Sequence, residues 1–153
     1  MSRKFGMILM VSMLMAGTMA WAGEYGTAAE AKAMLTKAVA ELKIDQKKAL
    51  LKFTKKEAGF GDRDLYVYCG NAGDGMFSAH PKLMGTSLKF LKDSTGDAFG
   101  ERIYQVAKDY DGSPFSKVSY MWPRPGETEQ SLKSVYVTKV GDQICCVGIY
   151  EPK

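Results

Sequence analysis

His80 is the only histidine in the chain, so any acid–base or nucleophilic chemistry that uses an imidazole must be built around it. Ser78 lies two residues earlier, on the same face of a predicted strand. No acidic residue is obviously placed to orient the ring, as a hydrolytic triad requires. Metal sites that need several histidines are excluded by the count alone. We therefore interpret His80 either as a structural residue, its ring bonded to a loop carbonyl beside Pro81, or as a ligand-binding residue.

Aromatic side chains are spaced to line one face of a sheet. Tyr66 and Tyr68 alternate with Leu65 and Val67, and alternation along a strand places the phenols opposite the aliphatic side chains. If the aliphatic face packs against a helix, the phenols line the other face, where apolar walls and a few polar groups can form a pocket. Trp122 fits the role of a structural anchor equally well. Three further aromatic residues extend the predicted wall: Tyr120, Trp122 and Tyr136.

Two basic residues are candidates for holding an acidic ligand, because a buried acid needs a positive partner or hydrogen bonds. Lys133 is the first candidate, and its alternative is an ordinary solvated lysine at a sheet edge, since lysine is seldom buried. Arg124, in the neighbouring loop, is the second. Asp93 and Asp97 lie in a Gly/Ser/Thr-rich loop whose spacing does not match an EF-hand. We interpret them as turn-forming acids.

The three cysteines, Cys69, Cys145 and Cys146, lack the Cys-x-x-Cys spacing of redox and haem motifs. Neighbouring residues of a strand point to opposite faces, so Cys145 and Cys146 are poorly placed to pair with each other. Cys69–Cys145 is the favoured disulfide if the strands that carry these two residues are neighbours. Three buried thiols remain an equal alternative, because free cysteine packs as a small apolar residue.

The first 22 residues have the pattern of an export signal. Arg3 and Lys4 precede an apolar run, and the small residues Ala20 and Ala22 flank Trp21 as signal peptidase requires. The run is shorter than the roughly 20 residues of a membrane-spanning helix. We predict cleavage after Ala22 and a free-standing product that is periplasmic or secreted, without stable membrane insertion. The alternative is that this segment is retained as a membrane anchor.

Length and composition fit one globular domain, with 153 residues of which 46% are hydrophobic. The formal net charge is +4, but the lysines are scattered among Asp and Glu and form no basic stripe. We therefore expect no nucleic acid partner.

Periodicity in the rest of the chain predicts an α+β domain with one antiparallel sheet. A helix is predicted over residues 27–56, either continuous or broken near Asp45, with a capping box at Thr27 and Glu30. A shorter helix over residues 98–109 is ended by Gly112 and Pro114. Five strands are predicted, the first two forming a hairpin: residues 64–69, 76–79, 115–122, 131–140 and 143–150.

Several short motifs occur in the order and at the spacing of a known family: Asp64–Tyr68, Ser78–Pro81, Tyr120–Pro123, Lys133–Val137 and Val147–Tyr150. Over about residues 27–151 the chain resembles a single Cache domain of the second type, the extracytoplasmic ligand-sensing module of bacterial chemoreceptors and sensor kinases. The resemblance implies a PAS-like, five-stranded antiparallel sheet with a long N-terminal helix on one face and a small-ligand pocket on the other.

Together, the residues and the resemblance predict that residues 23–153 form one sensory domain for a short organic carboxylate. We expect no enzymatic activity, no cofactor and no metal, and a membrane receptor or sensor kinase as signalling partner. One alternative is an interaction subunit that docks to a membrane receptor without its own ligand. Another is an enzyme that uses His80 or a free Cys146. The predicted ligand-binding residues, with His80 donating a hydrogen bond to the ligand, are Tyr66, Tyr68, His80, Trp122, Lys133 and Tyr136.

Overall fold

A computed structural model describes residues 23–109 and 115–152 of the chain. Two predictions lie outside the described residues: the export signal at residues 1–22 with cleavage after Ala22, and the helix stop at Gly112 and Pro114. Within the two described ranges, no helix combines the length and the apolar character needed to cross a bilayer.

Two helices, α1 (Ala28–Ile44) and α2 (Gln46–Lys55), open the described chain. Asp45 separates them, because its extended backbone (φ −154°) cannot continue α1. Its carboxylate accepts a hydrogen bond from the Lys48 N–H at 3.1 Å and so caps α2. The predicted break near Asp45 is confirmed, and the helical segment is a pair of helices rather than one.

The outer ends of this helix pair are fixed by local hydrogen bonds. Thr27 Oγ1 accepts from the Glu30 N–H at 3.3 Å, and a Glu30 carboxylate oxygen accepts from the Thr27 N–H at 2.7 Å. This is the predicted capping box. At the other end Lys56 adopts a left-handed backbone (φ 56°), and its N–H donates to the carbonyl of Lys52.

The sheet contains six strands, and every pair of neighbours is antiparallel. Their order is β1–β2–β6–β5–β4. Strand β3 pairs with β2 at Cys69 and Gly70, farther along β2 than the two residues that pair with β1. The predicted count of five strands is wrong by one, because β1 has two residues and is too short to show an alternating pattern. In chain order the strands are β1 (Gly61–Asp62), β2 (Leu65–Asn71), β3 (Phe77–Ala79), β4 (Ser116–Pro123), β5 (Gln130–Val140) and β6 (Gln143–Tyr150).

The remaining sequence-based elements agree with the structure. The predicted hairpin is confirmed, with Cys69 opposite Ala79 and Gly70 opposite Phe77 where β2 pairs with β3. The second helix, α3 (Phe99–Lys108), is shorter than predicted by one residue at each end. These elements complete the α+β fold that periodicity predicts.

The sheet separates two buried apolar layers. On one side, aliphatic residues of β2 and β6, among them Val67 and Val147, form a cluster with residues of α1 and α2. On the other side, Tyr66 and Tyr68 cluster with residues of α3 and of the loop that follows β3. We call these sides the helix face and the phenol face. The predicted separation of the two phenols from their aliphatic neighbours is confirmed.

A disulfide joins β2 to β6 on the helix face. Cys69 and Cys145 are register partners, and their sulfur atoms are 2.04 Å apart. Cys146 belongs to the phenol-face cluster and is a buried free thiol. Burial raises the pKa of the Cys146 thiol to about 12, so this thiol stays protonated. Of the two alternatives for the cysteines, the Cys69–Cys145 bridge is therefore the one confirmed.

Candidate functional site

A cavity of about 230 Å³ opens at the phenol face of the sheet. One wall is the loop after β3, at residues 80–83, and another is the turn between β4 and β5, at residues 123–127. Tyr66 and Trp122 line the cavity from the sheet. The cavity thus lies where two loops that are distant in sequence meet, and three of the predicted residues border it.

Lys133 lies behind Tyr66 as a buried cation. Lys133 is 1% exposed, and its Nζ donates a hydrogen bond to the Tyr66 hydroxyl at 2.8 Å. The ammonium is 4.3 Å from the centroid of the Tyr66 ring and 5.2 Å from that of Tyr150. Gly148 makes room for it, because an added Cβ there would lie 2.5 Å from Lys133 Cε. The alternative of a solvated edge lysine is wrong.

The bond from Lys133 changes what Tyr66 can do. A hydroxyl that accepts a hydrogen bond from a cation is polarised and becomes a better donor to a third group. Tyr66 borders the cavity, whereas Lys133 does not. Lys133 therefore influences the cavity through Tyr66, because its positive charge lies beneath the Tyr66 ring.

His80 is held in a neutral form with one ring nitrogen left to donate. Its Nδ1 accepts hydrogen bonds from the backbone N–H groups of Lys82 and Leu83, at 2.9 and 3.0 Å. The neutral ring must therefore carry its proton on Nε2. Burial, together with the positive charges of Lys133 and Lys82, lowers the pKa of His80 to about 4. The structural bond goes to N–H groups, so the predicted bond to a loop carbonyl is wrong.

Tyr68 forms the floor beneath the cavity rather than its wall. Its hydroxyl shares a buried hydrogen bond of 3.0 Å with the hydroxyl of Tyr120, and burial raises the pKa of Tyr68 well above its ordinary value. Phe99 stacks on Tyr120 with ring centroids 3.8 Å apart. The space left among these rings is only about 10 Å³, so this part of the phenol face is filled by the protein itself.

Trp122 packs among other aromatic rings and also lies beside the cavity. Its ring packs edge-on against Phe99 and Tyr120, with centroids at 5.5 and 6.1 Å. It also borders the cavity. The indole is therefore an anchor for the aromatic floor and at the same time a flat apolar wall.

Tyr136 does not join the site. It belongs to the helix-face cluster, where the ammonium of Lys32 lies 4.9 Å from its ring centroid. Lys133 and Tyr136 are an odd number of residues apart on β5, so their side chains must leave opposite faces of the strand. The prediction that both lie on the same face as the ligand is wrong. Their odd spacing along β5 is the sequence signal that excludes it.

Arg124, outside the predicted set of six, borders the cavity with a cationic side chain, as do Lys56 and Lys82. It is 8% exposed, and its guanidinium carbon lies 4.4 Å from the ring centroid of Tyr25 and 5.1 Å from that of Tyr150. Its Nε is 3.9 Å from Asp64 Oδ2. Arg124 lies two residues after Trp122, and this even spacing is the sequence signal that brings both side chains toward the same cavity.

Asp93 holds the loop before α3 against β4. Its Oδ1 accepts from the N–H groups of Thr95 and Asp97, and its Oδ2 accepts from the Met121 N–H at 2.9 Å. Hydrogen bonds from Thr95 and Met121 lower the pKa of Asp93 to about 2. The interpretation of Asp93 as a turn-forming acid is confirmed.

Comparison with known proteins places this geometry in a family. The family model described as single Cache domain 2 matches residues 11–149. The methyl-accepting chemotaxis protein McpP of Pseudomonas putida is 32% identical over 78 residues, which are 50% of this chain and 14% of that protein. The present chain therefore spans only a small part of this curated relative.

Solved structures share the fold at low sequence identity. A methyl-accepting chemotaxis protein from Vibrio parahaemolyticus aligns with a TM-score of 0.63 and 23% identity, over 80% of this chain and 86% of that one. A Cache chemosensory domain solved to explain carboxylic acid recognition aligns with a TM-score of 0.58 and 21% identity, over 79% and 86% of the chains. A periplasmic sensor domain of a chemotaxis protein gives 0.56 and 18%, over 78% and 87%.

Proposed function

Because this chain belongs to the single Cache domain 2 family, we propose that it is an extracytoplasmic sensory module that binds a short organic carboxylate. The ligand lies in the cavity between residues 80–83 and 123–127. The observation that supports this most directly is the cation-backed Tyr66 hydroxyl beside the neutral His80. Both groups are donors, and an anionic acceptor is the partner that such a pair lacks.

The chemistry of the cavity fits a small amphipathic anion. The carboxylate accepts hydrogen bonds from the Tyr66 hydroxyl and from His80 Nε2–H, while Arg124 supplies positive charge at the opposite wall. The hydrocarbon part packs on the Trp122 ring and on the prolines at positions 81, 123 and 125, which border the same cavity. Lys133 and Tyr68 act from beneath, Lys133 through Tyr66 and Tyr68 through the aromatic floor.

Export and signalling are part of the same proposal. A structural disulfide such as Cys69–Cys145 persists in oxidising compartments, which supports an extracytoplasmic location. One solved relative is a Cache domain that recognises carboxylic acids, and another is a periplasmic sensor domain. We propose that the exported module passes its ligand state to a membrane receptor or sensor kinase.

A second candidate function is an interaction subunit that docks to a membrane receptor without its own ligand. The observation that favours it is the nearly filled aromatic floor, which leaves only about 10 Å³ beneath the cavity. The two candidates differ in a simple respect, since only the first requires a carboxylate to stabilise the isolated protein.

Thermal unfolding with acetate, propanoate and pyruvate, against the neutral controls propanol and propanamide, tests the proposal. A ligand at 100 times its dissociation constant adds about 2.7 kcal/mol to the free energy of unfolding, which is a visible shift. We expect stabilisation by at least one acid and by neither neutral analogue. If none of the acids raises the melting temperature, the carboxylate proposal fails and the docking subunit becomes the better account.

Variants then locate the site. Tyr66→Phe removes one donor, and His80→Asn removes Nε2–H while an amide oxygen still accepts from the loop N–H groups. Each should weaken carboxylate binding about tenfold, because a hydrogen bond to a charged group is lost. Tyr136→Phe is the matched control on the helix face and should bind as the wild type does. Equal affinity in all four proteins would place the ligand elsewhere.

A further inference from the structure

Arg124 borders two cavities at once. The first is the proposed ligand cavity, and the second, of about 640 Å³, lies between the segment before α1 and the end of β6. Tyr25 and Gly26 line the second cavity from one side, and Tyr150 lines it from the other. Arg124 therefore lies between the ligand site and both ends of the described chain, with Glu127 as the second residue that lines both cavities.

The guanidinium of Arg124 packs on rings from both of these ends. It lies 4.4 Å from the Tyr25 centroid and 5.1 Å from the Tyr150 centroid. Tyr25 is 41% exposed; its ring contacts Arg124, while its backbone carbonyl accepts a hydrogen bond from Arg63 Nη1 at 2.9 Å. Such stacking uses the flat faces of the guanidinium and leaves its edge for hydrogen bonds. At that edge Nη1 donates to Ser131 Oγ at 3.5 Å.

The edge of the guanidinium is poorly satisfied. Arg124 Nε and Asp64 Oδ2 are 3.9 Å apart, which is too long for a hydrogen bond, and neither atom has another partner within the described part of the chain. Both residues are more than nine-tenths buried, at 8% and 6% exposure. Asp64 and Ser131 therefore satisfy Arg124 only in part, because its buried Nε–H has no acceptor among the described residues, which is costly. An anion in the neighbouring cavity supplies a further negative partner for this guanidinium.

Asp64 extends the same connection to the backbone. Its Oδ1 accepts a hydrogen bond of 2.7 Å from the Gly26 N–H, directly after Tyr25. The side chains of Arg124 and Asp64 therefore hold one short segment, at residues 25–26, through a ring contact and through a backbone hydrogen bond. Any ligand that immobilises Arg124 also immobilises the surface on which this segment rests.

We infer that Arg124 couples the ligand cavity to the ends of the described chain, so that a bound carboxylate holds Tyr25 and Tyr150 more firmly against the sheet. This inference rests on the proposed function, because it needs an anion in the first cavity. The coupling is reciprocal: if the bound ligand strengthens the Tyr25–Arg124 contact, that contact strengthens ligand binding by the same free energy. Tyr25 does not border the ligand cavity, yet its removal must weaken ligand binding.

Isothermal titration of the full chain with propanoate, or with whichever acid of the panel stabilises the protein, tests the coupling. Tyr25→Ala should bind the acid about two- to fivefold more weakly, the range expected for one cation–π contact. Tyr25→Phe keeps a ring over Arg124 and should retain wild-type affinity. Arg124→Lys keeps the charge but loses the flat stacking surface, so Tyr25→Ala should cause no further loss in that background.

Hydrogen exchange supplies a second readout of the same variants. The acid should slow exchange at residues 24–27 in the wild type and leave it unchanged in Arg124→Lys. If Tyr25→Ala binds as tightly as the wild type, or loses the same factor with Lys at position 124, the coupling is refuted while carboxylate binding stands. If no acid of the panel binds the wild type, the proposed function and this inference fall together.

Discussion

Lys133 and His80 show how burial decides what an ionisable group does. Lys133 is 1% exposed, and among the described residues its ammonium contacts a phenol hydroxyl and aromatic rings, an arrangement that leaves its charge incompletely compensated. His80, by contrast, is uncharged, because burial and nearby positive charge lower its pKa and keep its ring neutral. In the proposed site, the neutral donor and the cation behind a phenol together complement a carboxylate.

The neutral state of His80 predicts a pH dependence of stability. The pKa of His80 is about 4 in the folded protein and near 6.5 in the unfolded chain, so between these values only the unfolded state takes up the proton. The free energy of unfolding should be highest above pH 6.5 and fall by roughly 1–2 kcal/mol between pH 7 and pH 5. Urea unfolding at several pH values measures this.

A matched variant isolates the imidazole. His80 is the only histidine, and carboxylates titrate mostly below this window. His80→Asn keeps an acceptor for the Lys82 and Leu83 N–H groups and should show a flatter profile between pH 7 and pH 5. His80→Ala removes that acceptor and should be less stable than His80→Asn at pH 7. A wild-type profile in His80→Asn would mean that another group causes the dependence.

At the scale of elements, short polar residues decide where helices stop and how loops are attached. Asp45 ends α1 and caps α2, and Asp93 ties the loop before α3 to β4. Each carboxylate accepts hydrogen bonds from backbone N–H groups that a helix end or a loop would otherwise leave unpaired. The helix pair can therefore turn at one residue, so that α1 packs on β2, β5 and β6 and α2 packs on β2 and β3.

Replacement of Asp45 tests this role. Asp45→Ala removes the acceptor of the Lys48 N–H and should lower the free energy of unfolding by about 1 kcal/mol, whereas Asp45→Asn should be nearly neutral because asparagine caps equally well. Both variants are measured by urea unfolding at pH 7. A large effect of Asp45→Asn would instead assign the stabilisation to the charge.

For the whole molecule, the decisive feature is that one sheet serves two different layers. The helix face is closed by α1 and α2 and carries the disulfide, while the phenol face carries the cavity and the aromatic floor. The bridge joins β2 to β6 across a sequence separation of 76 residues. It therefore fixes the central strand pair that bears Tyr66 and Gly148 on its other face.

Loss of the disulfide should destabilise the fold as a whole. Closing a loop of this length removes unfolded-state entropy worth roughly 2–4 kcal/mol. We expect the double variant Cys69→Ala, Cys145→Ala to unfold at a lower urea concentration, with a free energy of unfolding reduced by this amount. Cys146→Ala is the control: it leaves the bridge intact and should lose only the packing of one small buried side chain. An unchanged midpoint in the double variant would show that the bridge contributes little.

Much of this architecture is local in origin and was predictable. Alternation along β2 assigns Tyr66 to one face and Val67 to the other, and the capping residues at Thr27 and Asp45 mark the helix boundaries. Periodicity predicted the α+β class, and the Cache-like motifs added the family. The two-residue strand β1 escaped prediction because it is shorter than any periodic signal.

The site depended on contacts that no local pattern contains. Alternation along each strand allows Lys133 of β5 and Tyr66 of β2 to share a face. Only the strand order β2–β6–β5 and the absence of a side chain at Gly148 bring their polar atoms to 2.8 Å. Parity along β5 turns Tyr136 to the helix face, whereas only the assembled fold brings Arg124 beside Asp64, 60 residues away in sequence. Side-chain direction is a property of the single strand, whereas proximity follows from the register between strands, which is set only when the sheet assembles.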